Sequence, residues 1–248
     1  MSTQIIYEPR GRAREYAPLA ANLYAGCSHG CTYCYACGAV RRKKEDFHTR
    51  VSVRDDVLRK LERDAIKLQG DDRTVLLSFT TDPYQPCESE TKVTRRAIQI
   101  LHRYDLRVEL LTKGGTRAAR DFDLLTAADR FASSLTFLDD ADSAAWEPNA
   151  ALPSDRIDAI REAKRRGLTT WASLEPVIDP EQSLEIIRAT SEVVDLYKVG
   201  TLNHHPAGAS IDWADFGRRA IALLESLGAA YYIKADLRKH IERGTHGQ

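Results

Sequence analysis

The 248-residue sequence has no net charge, no apolar run approaching the ~20 residues needed to span a bilayer, no internal repeat and no low-complexity stretch. Zero net charge removes any whole-chain attraction to a polyanion, leaving local basic spots at Arg41-Arg42-Lys43-Lys44, Lys164-Arg165-Arg166 and Arg218-Arg219, which read first as solvated faces. Met1-Ser2-Thr3-Gln4 does not start a secretory signal, so a cytoplasmic protein with no membrane partner is expected. Cysteines are few, five in all, and four of them fall between Cys27 and Cys37. That clustering argues against a disulfide framework spread along a secreted chain and for thiols kept reduced as ligands. Apolar residues at 43% and charged ones at 29% are ordinary for a globular chain and argue against long disorder.

What is present is an alternation of strand-like and helix-like segments. Asn22–Ala25 is expected as a first strand that delivers the chain into the cysteine loop. Ser52 is expected to cap a helix running to Gly70. Strands follow at 74–79, 108–112, 131–136, 169–174 and 195–199, separated by helices near 93–104, 117–128, 154–167 and 180–190. A tail helix capped near Ser210, a last strand at 229–233 and a short basic helix complete the chain. Short, mostly unalternating strands between amphipathic helices, repeating at ~30 residues, fit a parallel α/β sheet forming a full or partial barrel, with a doubly wound open sheet as the competing topology. One domain over 1–248 is expected, with an irregular lead-in at 1–21 and a helical C-terminal extension at 206–248. In either topology chemistry belongs at the C-terminal strand ends.

Cys27, Cys31 and Cys34 have the spacing C-x3-C-x2-C, with Cys37 following at x2 and Gly26 and Gly30 permitting tight turns. Three readings are open: a four-thiolate zinc site, a closed electron-transfer iron-sulfur cluster with four cysteines, or a 4Fe-4S cluster held by three thiolates with one iron free.

The motif with its aromatic neighbours Tyr33 and Tyr35 resembles the signature of radical S-adenosyl-L-methionine (SAM) enzymes. Asn22-Leu23-Tyr24, the stretch Thr80 to Pro86, Leu111 to Gly114, Arg120 to Leu125, Glu147-Pro148 and Tyr197 to Asn203 are similar to the spore photoproduct lyase-like branch. The resemblance covers about residues 20 to 205 and implies a partial (β/α)6 barrel of the TIM type, with a 4Fe-4S cluster and SAM as cofactors. It further implies Cys27, Cys31 and Cys34 as cluster ligands; Tyr33, Thr81, Asp82, Lys113, Ser134 and Glu175 toward the cofactor; and weaker places for Thr80, Lys198 and Asn203. The implied substrate is a thymine-type base in DNA, undergoing photolesion reversal or rearrangement, with an external flavodoxin- or ferredoxin-type reductant. The alternatives are a radical SAM enzyme acting on a peptide or small metabolite, and a non-catalytic zinc or iron-sulfur module that binds nucleic acid. The branch's hydrogen-donor cysteine has no counterpart in Phe79-Thr80-Thr81-Asp82, so either Cys87 or a tyrosine such as Tyr84 takes that role, or the reaction is not photoproduct reversal. Cys37 has to lie off the cluster if SAM is to reach the open iron. The His204-His205 pair is expected to be solvent-facing.

Overall fold

The computed structural model describes residues 4–245; the Met1-Ser2-Thr3 start, on which the expected lack of a secretory signal rests, lies outside them. The strands are β1 (Ile6–Tyr7), β2 (Leu19–Ala21), β3 (Tyr24–Ala25), β4 (Ser52–Val53), β5 (Val75–Leu77), β6 (Val108–Thr112), β7 (Arg130–Ser134), β8 (Thr169–Leu174), β9 (Leu196–Val199) and β10 (Ala230–Ile233). Eight of them form one sheet in the order β1-β2-β5-β6-β7-β8-β9-β10, and β3 pairs with β4 apart from it. Within the eight-stranded sheet, among the described residues, only β1 runs antiparallel to its neighbour, β2 and β5 to β10 being parallel throughout; β3 and β4 pair antiparallel.

Helices cover the outer face: α1 (Ala36–Ala39), α2 (Lys44–Thr49), α3 (Val57–Lys67), α4 (Glu88–Thr91), α5 (Val93–Arg103), α6 (Asp140–Trp146), α7 (Pro153–Arg165), α8 (Pro180–Thr190), α9 (Trp213–Ser226) and α10 (Ala235–Thr245). Side chains alternate across each strand. Val75, Leu77, Val108, Leu110 and Phe131 pack outward with helix residues such as Leu61, Leu101 and Ile160. Leu76, Ala132 and Trp171 form a smaller inner cluster with Ala17 and Ala20. The register sets Ser134, Ser173 and Lys198 side by side on the inner face, one step above Ala132, Trp171 and Leu196. The architecture is the expected parallel α/β sheet of a partial barrel.

Several boundaries differ from expectation for local reasons. The first barrel strand is Leu19–Ala21, and Tyr24–Ala25 belongs to the small sheet. Ser52 caps nothing: it pairs with Ala25, and α3 begins after Asp56, whose left-handed φ of 54° breaks the chain direction. The stretch expected as a helix at 117–128 holds a 3-10 helix, Gly115–Asp121, whose first turn is tied by the Asp155 carboxylate accepting from Thr116 N (3.2 Å) and Oγ1 (2.5 Å). The lead-in holds β1, a 3-10 turn at Gly11–Glu15 and β2. The C-terminal extension is not purely helical, since β10 joins the barrel sheet beside β9. α8 starts at Pro180 as read from sequence, and Asp179 caps it, the carboxylate accepting from Glu181 N (2.8 Å) and Gln182 N (3.1 Å).

Candidate active site

A cavity of 470 Å³ opens at the C-terminal ends of the barrel strands. Its lining takes Ser78 to Asp82 after β5, Lys113 after β6, Ser134 at the end of β7, Glu175 after β8 and Thr201 to His204 after β9. The cysteine loop closes one side with Cys27, His29, Cys31, Tyr33, Cys34 and Tyr35.

That loop is tied from behind by backbone and amide groups. Gly26 has φ 89°, and a Cβ there would meet Phe47 O at 2.6 Å, so only glycine fits where the loop departs. Cys27 N donates to Phe47 O (3.1 Å), Ser28 N to Gln85 Oε1 (2.9 Å) and Thr32 N to Trp146 O (2.8 Å), while Asn149 Nδ2 donates to Ser28 O (3.0 Å). Cys27, Cys31 and Cys34 are free thiols on the cavity. Burial raises all three, Cys31 to about 11, so metal loading has to displace their protons. Cys37 lies in α1, its Sγ donates back to Cys34 O (3.3 Å), and it does not line the cavity. Among the described residues no three His, Cys, Asp or Glu side chains gather around one metal-ion position.

Thr81 Oγ1 is buried on the cavity with no hydrogen-bond partner, leaving its acceptor and donor capacity open. Asp82, also on the cavity, is differently employed. Its carboxylate accepts from Tyr84 N (2.8 Å), Thr112 Oγ1 (2.5 Å) and Lys113 N (2.7 Å), so it fixes the turn that carries Lys113. His29 Nδ1 stands 3.5 Å from Asp82, and burial, opposed by Asp82, lowers the imidazole to about 4, keeping it neutral near pH 7. Lys113 Nζ lies 5.6 Å over the Tyr33 ring and 3.9 Å from Glu147. Glu147 is buried, accepts from the Tyr33 hydroxyl and pairs with buried Arg156 at 2.5 Å. Burial raises the Glu147 carboxyl, but Arg156 and Lys113 outweigh it and hold the group below its usual value.

Glu175 reaches the cavity from the opposite wall. Its carboxylate accepts from the Tyr16 hydroxyl and from Lys234 Nζ, and Gly200 leaves the room: a Cβ there would stand 2.6 Å from Glu175 Oε1. The Lys234 ammonium sits 3.1 Å over the Tyr16 ring. Burial lowers Lys234 to about 8 against the pull of Glu175. Tyr16 and Lys234 were not found from sequence; the only signal was a tyrosine in a polar lead-in and a lysine after the last strand. Lys198 turns into the barrel, 4.3 Å over Trp171 and 3.9 Å from Glu109, and does not line the cavity. Asn203 and His204 do line it, whereas His205 accepts from Ala207 N and packs against Trp146.

The two hydrogen-donor candidates are placed elsewhere. Tyr84 faces a separate cavity of 260 Å³ beside Glu88 and Arg117. Cys87 packs on the outer core, and neither residue lines the large cavity. The phenols that reach it are Tyr16, Tyr33 and Tyr35.

The sequence model of the Radical SAM superfamily matches residues 21–194. The chain belongs to the radical SAM superfamily. Its cofactors are accordingly a 4Fe-4S cluster and SAM, and three free thiols on one cavity beside an unpartnered hydroxyl fit that pair. An uncharacterized protein of Methanocaldococcus jannaschii is 29% identical over 75% of this chain and 71% of its own length. One from Mycobacterium tuberculosis is 30% identical over 63% of this chain but only 48% of its own. A spore photoproduct lyase variant with bound AdoMet and dinucleoside spore photoproduct superposes with a TM-score of 0.72 at 15% identity, over 95% of this chain and 80% of that one. Streptococcus suis SuiB bound to S-adenosylmethionine gives 0.64 at 14% identity, over 87% and 50%. At such identities these likenesses establish that this radical SAM chain shares the fold. Among its described residues no helix is long and apolar enough to cross a membrane.

Proposed function

We propose that Cys27, Cys31 and Cys34 hold the 4Fe-4S cluster, and that the Thr81 hydroxyl and the Lys113 ammonium receive the amino and carboxylate groups of SAM. With an external one-electron donor of flavodoxin or ferredoxin type, the bound pair supplies a 5′-deoxyadenosyl radical that takes hydrogen from a thymine-type base in DNA. Asp82 orients the Lys113 turn, and Tyr33, fixed by Glu147 and carrying Lys113 over its ring, walls the cofactor side. Ser134 lies on the same inner level as Ser173, toward the cofactor. Glu175, expected toward the cofactor, is assigned instead to the substrate side because its carboxylate is engaged by Tyr16 and Lys234.

The observation that carries this function is the divergence of the four clustered thiols: three open onto the strand-end cavity and Cys37 turns away from it. The choice of a DNA base is supported by the fold shared with spore photoproduct lyase, a structure of which holds a dinucleoside spore photoproduct. A lyase or isomerase outcome, with hydrogen returned by 5′-deoxyadenosine, requires neither Cys87 nor Tyr84 at the site. The clustered free thiols suit a reducing cytoplasm.

The test is an anaerobic turnover with SAM, dithionite and the spore photoproduct of thymidylyl-thymidine. Conversion to thymidylyl-thymidine supports photolesion reversal, and because hydrogen returned by 5′-deoxyadenosine regenerates SAM, conversion in excess of the 5′-deoxyadenosine released supports that return. SAM cleavage without change in the dinucleotide removes that substrate, and neither conversion nor 5′-deoxyadenosine from an iron-loaded protein removes the radical chemistry.

A further inference from the structure

Arg10, Arg12 and Tyr16 line the cavity from the segment before residue 21, where the superfamily match begins. This wall is braced from the other end of the chain, also outside the match. Glu15 Oε1 accepts from the Tyr232 hydroxyl (3.1 Å) and from Ala235 N (2.8 Å), and Arg12 pairs with Asp236 at 2.8 Å. Glu175 and Lys234 neutralise one another beneath Tyr16. With those pairs made, Arg10 is left exposed on the wall with no hydrogen-bond or ion-pair partner among the described residues.

Beside this cation runs a row of rings. Tyr16 meets Phe79 edge-on with centroids 5.6 Å apart, and Phe79 meets Tyr35 edge-on at 6.4 Å. Tyr35 is 46% exposed while it lines the cavity, an unusual place for a large ring in a folded chain. A flat exposed ring accepts a base face, and an unpaired guanidinium offers a planar fork of donors to a phosphate.

We infer that this wall is a nucleotide subsite in which Tyr35 stacks a base and Arg10 holds the phosphodiester attached to it. The subsite presupposes that the cavity's substrate is a nucleic acid. It adds Arg10 as the residue that recognises the phosphodiester, and it places that residue in the N-terminal segment that the superfamily match does not include, on a wall braced by the C-terminal end.

The probes are thymidylyl-thymidine, which carries one phosphodiester, and thymidine, which carries none, each titrated into the iron-loaded protein with SAM. Wild type is expected to bind the dinucleotide more tightly, and added salt to narrow the gap. Arg10→Gln is expected to weaken the dinucleotide by about 10- to 100-fold with thymidine affinity and iron content unchanged. Tyr35→Leu is expected to weaken both probes alike at unchanged iron content. An Arg10→Gln protein that binds the dinucleotide like wild type overturns the subsite while leaving the DNA substrate standing, as does one that loses thymidine or iron in parallel. A wild type that cleaves SAM but binds neither probe removes the nucleic-acid substrate itself, and the subsite with it.

Discussion

On the cofactor side of the cavity the cysteine loop hangs from backbone and amide hydrogen bonds and the Lys113 turn from the Asp82 carboxylate, whereas the facing wall of Tyr16, Glu175 and Lys234 is held by a buried ion pair. The first kind of support joins residues 57 and 121 positions apart through neutral groups. The second joins residues 159 and 59 positions apart and sets ammonium, carboxylate and phenol against each other. Neutral ties fix the cysteine loop without setting a second cation beside its thiolates. A wall facing a polar substrate keeps charges paired until a ligand arrives. Asp82 and the Glu147–Arg156 pair are the charged groups on the cofactor side, and the buried ion pair, sealed behind Tyr33, is the one that tests this contrast.

The contrast can be broken at several points, the largest effect first. Cys31→Ala removes a ligand outright, and iron content and SAM cleavage should both collapse, read by iron analysis and by 5′-deoxyadenosine release. Next is Arg156→Met, which strands the Glu147 carboxylate and leaves Ala151 O and Ser134 O without their donor. A loss of about 3–5 kcal/mol is expected in urea unfolding. The pair also has a pH signature. Glu147 is held below its usual 4.5, so its stabilisation is complete above that value and fades as pH falls through the lower folded value. Wild type should therefore lose stability with acid in this window, and Glu147→Gln should show a shallower slope there.

Lys234→Met should cost less, about 2 kcal/mol, because the Glu175 side chain is 19% exposed, can take up water and keeps the Tyr16 hydroxyl. Equal losses for Lys234→Met and Arg156→Met would erase the distinction between the walls. Tyr16→Phe should cost about 1 kcal/mol, the worth of one hydrogen bond. Cys37→Ala comes last, within about 0.5 kcal/mol, since its thiol makes a single local bond.

The same difference between walls decides what could be read from sequence. Cys27, Cys31 and Cys34 announce themselves because their ligand spacing is local, and strand-end positions such as Thr81 and Lys113 follow once the strands are counted. Helix α8 was legible at 180–190 for the same reason, its first-turn proline being a local signal. Asp82 carried the right residue type but not its role: two of its partners, Thr112 and Lys113, arrive from the next strand. Asn22 looked like the start of a strand and instead receives the backbone N–H groups of Phe79 and Thr80, at 2.9 and 2.7 Å. Tyr16 and Lys234 were out of reach because nothing in either neighbourhood records that the sheet brings β10 and the lead-in to the same edge of the cavity.

The central claim is that three thiolates, and not four, hold the cluster. It is tested most directly by reconstituting Cys37→Ala without oxygen and measuring iron, sulfide and SAM cleavage beside wild type. The account predicts about four irons per chain in both proteins and undiminished 5′-deoxyadenosine formation. A Cys37→Ala protein that cannot assemble its cluster would make Cys37 a ligand and contradict the account.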